Sequence, residues 1–162
     1  MFGELGGRTS PRTERLHEVL QRAGIVAELH PNVQGAIWQK FLFICAFSGV
    51  TAVTRLPIGT ILADPVTYAL FQETLEEVEA VARAGRIDLP AACVEQALAT
   101  AAAEPWASSS LYRDLADGRR LELESLNGEV VRRGHEHGIK TPLNFAIYAA
   151  LRPYVDGTPA LP

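Results

Sequence analysis

A mainly α-helical bundle is the fold class this sequence predicts, and three observations carry that reading. The pairs Ser10-Pro11, Asp64-Pro65 and Thr141-Pro142 each set a capping side chain just ahead of a proline, the pattern of a helix start. Between the first two lies a segment from Val33 to Val53 whose apolar positions run nearly all round a helical wheel, as in a rod at the centre of a bundle. The 162 residues are 48% hydrophobic and 21% charged, the balance of one folded domain with a real core.

Ser10-Pro11 opens a first helix over about 10–23, and Gly24 closes it. Phe2 to Leu5 and Ile25 to Leu29 flank that helix as short strand-like pieces. Two short strands rarely stand alone, so this β-α-β remnant, residues 1–30, reads as the trailing edge of a larger sheet. Residues 31–162 then form the helical domain proper. Asn32 caps its long first helix, about 33–53, which Leu56-Pro57-Ile58-Gly59 breaks.

Asp64-Pro65 starts a helix that runs to about Ala84, with Gly85 beyond it. Leu70, Leu75, Val78, Val81 and Ala82 line its inner face, and Glu73, Glu76, Glu77 and Arg83 are expected to be solvated. Pro90 opens a helix over about 91–103 that ends at Glu104-Pro105. A loop with Ser108-Ser109-Ser110 leads to a helical turn ending near Ala116, and Asp117-Gly118 makes a turn. A further helix is expected over about 119–137, stopped by Gly138, and a last one over about 142–154.

Several function classes are disfavoured. The net charge is −4 and the basic residues gather on no one face, so nucleic acid is not an expected partner. The apolar run from Phe41 to Val53 is interrupted by Ser48, Gly49 and Thr51 and falls short of the roughly 20 residues of a membrane span. The N-terminus lacks a basic region followed by an apolar one, which makes the cytoplasm the expected location. Cys45 and Cys93 lie in apolar surroundings and read as core thiols, not as a disulfide or a nucleophile. His135 and His137, two apart, fall on different helix faces and suit no shared metal.

Lys40 is the residue that stands out, because from Leu29 to Thr54 it is the only side chain with a formal charge when His30 is neutral. Its stem can pack on apolar neighbours while the ammonium reaches water, the commoner arrangement. Facing a cleft instead, the ammonium would serve as a general acid. Glu122, flanked by Leu121 and Leu123, would orient such an acid, or would simply sit favourably near a helix N-terminus. Ser108, Ser109 and Ser110 precede a helical turn, where hydroxyls and free amides can hold a carboxylate, although a polar loop is the commoner explanation.

Two blocks of sequence resemble the C-terminal domain of ketopantoate reductases. The first is Trp38-Gln39-Lys40-Phe41-Leu42, continuing through Ser48-Gly49-Val50-Thr51-Ala52 to Arg55-Leu56-Pro57-Ile58-Gly59. The second comprises Ser109-Ser110-Leu111-Tyr112-Arg113-Asp114, Gly118-Arg119-Arg120-Leu121-Glu122, Leu126-Asn127-Gly128 and His137-Gly138-Ile139-Lys140-Thr141-Pro142. The resemblance runs from the first residues to about Tyr154 with the motifs in register.

It implies a helical bundle like the C-terminal domain of 6-phosphogluconate dehydrogenase, completed in the family by a Rossmann-type domain that binds NADP. By resemblance Lys40 matches the catalytic lysine and Glu122 the active-site carboxylate, while Ser110 matches the substrate-binding serine, and Ser109 and Ser48 are expected to bind substrate with it. The implied reaction is NADPH-dependent reduction of a small 2-keto acid such as 2-dehydropantoate to pantoate, in a homodimer. Where well-known members place asparagines on the lysine helix this chain has Ile44 and Ser48, and Ala107 stands where an asparagine precedes the serine pair, so several polar contacts to a pantoate-type substrate are absent or rebuilt. No Gly-x-Gly-x-x-Gly turn is present, so the chain alone is expected to be inactive. The alternative is a stand-alone helical domain that oligomerises or binds a small acid without catalysis.

Overall fold

The computed structural model describes residues 1–159; the last three residues of the expected 31–162 domain lie outside the described residues. Helix α1 (Pro11–Arg22) begins at a capping box, in which Ser10 and Thr13 each accept the other's backbone N–H. Phe2 and Leu29 flank it in a single parallel bridge, with Phe2 N–H donating to Glu28 O at 2.9 Å and His30 N–H to Phe2 O at 2.8 Å. The expected strands are therefore pared down to one bridging residue each. A two-stranded ladder has no further neighbour to extend it.

Helix α2 (Val33–Thr54) starts where the Asn32 side chain accepts the Gly35 N–H, and ends at Arg55, whose φ of 57° turns the chain left-handed. By length and composition α2 would pass for a membrane span, but the six α-helices that follow it in the chain all pack against it. Leu42, Cys45, Ala46, Val50 and Ala52 are fully buried along it. The segment from Leu56 to Gly59 does more than break α2: it leads into a short helix α3 (Ile58–Ala63). Ile58 and Ile61, three apart and both fully buried, drive that turn.

Asp64 accepts the Val66 and Thr67 N–H groups at the head of α4 (Pro65–Ala84), which matches the expected bounds. Glu77, expected in solvent, is half-buried and caps another helix. Its carboxylate accepts the Leu143 N–H at 2.8 Å and the Asn144 N–H at 2.9 Å, at the start of α8 (Pro142–Leu151). Pro90 makes a turn first, accepting the Cys93 N–H, so that α5 spans Cys93–Ala103. Helix α6 (Ser110–Ala116) follows the serine loop.

The helix expected over about 119–137 is corrected at its start. Leu121 and Leu123 are both buried, a spacing of two that suits extended chain, and Leu121 N–H donates to Val155 O at 2.9 Å. A 3-10 turn over Leu123–Ser125 follows, and α7 occupies only Asn127–His137, ending at Gly138 with φ 69°. Likewise α8 stops at Leu151 and continues as a 3-10 turn over Arg152–Tyr154, because Pro153 supplies no N–H for an α-helical bond.

A polar chain crosses the core. Asn127 Nδ2 donates to Asn144 Oδ1 at 2.9 Å and to Cys45 O at 3.4 Å, and Asn144 Nδ2 donates to Glu77 at 2.8 Å. Both asparagines are fully buried, so the chain ties α2, α4, α7 and α8 to one relative placement.

Candidate active site

Helical periodicity sets the stripe on which the lysine sits. Lys40, Ile44, Ser48 and Thr51 recur at spacings of four, four and three, which places them on one face of α2. Lys40 is exposed, Ile44 is half-buried, and Ser48 and Thr51 are buried. At a rise of about 1.5 Å per residue, Lys40 lies roughly 12 Å along the axis from Ser48. No hydrogen bond or ion pair joins Lys40 to another side chain among the described residues, and none joins it to Glu122.

The serine loop meets the buried end of that stripe. The hydroxyls of Thr51 and Ser109 hydrogen-bond at 2.8 Å, and Ser109 Oγ also accepts the Tyr112 N–H at 3.0 Å as the cap of α6. Thr51 in turn donates to Phe47 O at 2.7 Å. Ser109 is 3% exposed and its oxygen is committed to these partners, whereas Ser110, the first residue of α6, is exposed. Ser48 and Ser109 are thus brought together in the interior, and Ser110 presents its hydroxyl outside. Thr51 went unremarked in the sequence: its place on the lysine stripe was readable, but its partner 58 positions away was not.

Glu122 makes no hydrogen bond to that cluster among the described residues and lines a different cleft. It is exposed in a cleft of about 420 Å³ that Asp114, Arg120, Leu121, Glu124, Ser125 and Val155 also line. Its neighbours are mutually satisfied: Arg119 pairs with Asp114 at 3.1 Å, and Arg152 pairs with Glu124 at 3.3 Å. Glu122 itself has no ion-pair partner among the described residues. Glu122, with φ −78° and ψ 29°, leads into a 3-10 turn and lies well before the start of α7, so a favourable α-helix dipole does not account for it.

Both thiols are poor nucleophiles. Burial pushes the Cys45 thiol well above its ordinary range, with the Glu129 carboxylate adding to the effect. Burial, aided by Glu79, raises Cys93 as well. No group of three or more potential metal-binding side chains is present among the described residues.

Residues 32–155 match the family model described as ketopantoate reductase PanE/ApbA C-terminal. The chain belongs to the ketopantoate reductase family. The 2-dehydropantoate 2-reductase of Archaeoglobus fulgidus is 30% identical over 155 residues, covering 96% of this chain and 52% of that protein. A PanE/ApbA family ketopantoate reductase from Ralstonia eutropha JMP134 superposes with a TM-score of 0.81 at 35% identity, covering 90% of this chain and 49% of the other. A dimeric ketopantoate reductase from Staphylococcus aureus gives 0.79 at 27% identity, covering 91% and 52%. The chain therefore spans about half the length of the relatives it matches.

The family's nicotinamide cofactor does not fit the residues present. A dinucleotide site needs free amides at a helix N-terminus behind a strand and a glycine-rich turn. The helix behind the Phe2 bridge is α1, whose N-terminus is closed by Ser10 and Thr13. The Glu4 carboxylate lies 2.5 Å from Ser10 Oγ, beside that N-terminus, and is held there by Arg12. That interaction brings Glu4 down from 4.5 to about 2, the Arg12 hydrogen bond contributing most, so the position stays negatively charged.

Proposed function

We propose that this chain is the substrate-binding and proton-donating part of a reductase of small 2-keto acids, with 2-dehydropantoate as the reference substrate and NADPH as the hydride donor held elsewhere. The observation that carries the proposal is the placement of Lys40. It is an exposed ammonium on the central apolar helix, in line with the Ser48, Thr51 and Ser109 cluster, and no carboxylate among the described residues neutralises it.

On this reading negative charge grows on the keto oxygen as the carbonyl carbon is reduced. The Lys40 ammonium hydrogen-bonds to that oxygen and delivers a proton to it. Ser110, free at the start of α6, hydrogen-bonds the substrate carboxylate, while Ser109 and Ser48 hold the loop against α2. The family resemblance gives Glu122 the orienting of the ammonium or of a substrate hydroxyl, although here it lines a cleft that Lys40 does not line. Residues 1–30 belong to the nucleotide-binding side of the molecule and 31–162 to the substrate side, and the working unit is a homodimer. Without a cofactor site the chain by itself transfers no hydride.

Titrating 2-dehydropantoate into the labelled chain by NMR tests the assignment. The expected result is weak, saturable movement of Lys40 and Ser110 signals, lost in Lys40→Met. Addition of NADPH is expected to give no tight complex and no turnover. Tight NADPH binding with turnover, or acid binding indifferent to Lys40→Met, defeats the proposal.

A second reading rests on a separate observation. Leu16, Val19, Ile25 and Val26 in the N-terminal unit are 47%, 51%, 53% and 102% exposed, an apolar patch suited to association. In that case the chain acts as an oligomerising domain without catalysis. Light scattering that finds a monomer at high concentration excludes it, and removes the homodimer from the first reading as well.

A further inference from the structure

Beside the lysine stripe lies a cavity of about 410 Å³ that no contact described so far uses. Its volume falls within the roughly 300–1,000 Å³ of small-molecule sites. One wall is Phe43 and Phe47 of α2, their rings stacked with centroids 5.2 Å apart and planes 13° from parallel. The others come from Ile58 of α3, Ala101 and Ala103 of α5, and Ala107 and Ser108 of the serine loop. The two phenylalanines follow Lys40 by three and seven residues, so they share its face of α2, about 5 and 10 Å further along the axis. Their side chains lean back toward the helix N-terminus, hence toward Lys40.

The cavity is therefore lined by the lysine helix and by the loop that leads into Ser110, with Lys40 and Ser110 themselves outside its lining. Its walls are mainly apolar: the Thr100 hydroxyl is turned back onto Gln96 O at 2.8 Å, Ser108 supplies the one other hydroxyl, and the one carboxylate, Glu104, is at the exposed margin. A hydroxylated tail buried here would find few partners, and an unpaired hydroxyl is costly in such a place. We propose that this cavity is the tail pocket of the substrate and that the preferred substrates are 2-keto acids with an unbranched, branched or aromatic hydrocarbon tail, ahead of hydroxylated ones. This rests on the reading of Lys40 and Ser110 given above and adds the class of acid that they receive.

The test is an NMR titration of the whole chain with pyruvate, 2-oxobutanoate, 2-oxohexanoate, 4-methyl-2-oxopentanoate, phenylpyruvate and 2-dehydropantoate, with 2-heptanone as a probe lacking the carboxylate. Affinity is expected to rise about fourfold per buried methylene. Ile58, Ala101 and Ala107 signals should move only with the longer tails, and 2-oxohexanoate should outbind 2-dehydropantoate. Ala107→Phe, and separately Ala103→Trp at the exposed margin where folding is least at risk, should abolish the gain with tail length and leave pyruvate binding as it was. Acids that move Lys40 and Ser110 with no dependence on tail length overturn the pocket and leave the reductase reading standing. If no acid moves Lys40 or Ser110 while 2-heptanone still moves Ile58 and Ala101, the reductase reading fails and the proposal goes with it. If no probe moves Ile58 or Ala101, the cavity is not a ligand site at all.

Discussion

Glu77 shows how one side chain can be misread by its charge. On a helical wheel it belongs with Glu73 and Glu76, yet its carboxylate receives two backbone amides and the Asn144 side chain at the head of α8. Hydrogen bonds to a charged group contribute more than neutral ones, and their loss leaves buried donors unpaired. Glu77→Ala is expected to destabilise the fold by about 2–4 kcal/mol, a drop in Tm of roughly 5–15 °C, measured by denaturant and thermal unfolding. Glu4 carries a pH-dependent prediction. Its carboxyl is depressed from 4.5 to about 2 by Arg12 and Ser10, so its contribution to stability is complete above pH 4.5 and is lost as pH falls toward 2. Carboxyl NMR should place its midpoint near 2, and Arg12→Gln should return it toward the ordinary range.

Among the elements, α2 bears the most weight, since it both centres the bundle and carries the lysine. Its close approach to α7 and α8 depends on Gly49, where a Cβ would lie 2.8 Å from Ile147 Cγ2 and 2.9 Å from the Asn127 amide. Gly49→Ala gains helix propensity of about 1 kcal/mol, but the overpacking it forces costs about 1–3 kcal/mol. A net loss of stability with broadened Asn127 and Asn144 side-chain signals is expected; a stabilised variant would show that the helices separate easily. Proline and capping signals located α1, α2, α4 and α8 in the sequence because those signals are local. The start of α7 was not legible, since Leu121 and Leu123 read equally well as part of a helix until Val155 supplies a partner for the extended chain.

For the whole molecule, the division near residue 30 can be tested directly. Helix α1 does not figure among the main packing partners of the bundle, and Asn32, which caps α2, lies outside the N-terminal unit. A chain of residues 31–162 is expected to fold with a Tm within a few degrees of the parent and, if the second reading holds, to associate less than the parent. Failure of that chain to fold would mean that residues 1–30 are integral to the bundle. Candidate chemistry was legible wherever it rested on a residue out of keeping with its surroundings, as Lys40 is on α2. It was not legible for Thr51, whose role exists only because Ser109 comes to meet it.

Local signals in the chain were enough to determine a helical bundle, most of its helix starts, the central rod and the single cation on it. Capping, proline geometry and apolar period act within one or two turns, so they are written in neighbouring residues. The tertiary structure alone decided that Ser109 faces inward and Ser110 outward, that Glu122 lies in its own cleft, and that Glu77 caps a helix far along the sequence. Those outcomes depend on which elements pack together, and packing is a property of surfaces that distant residues assemble.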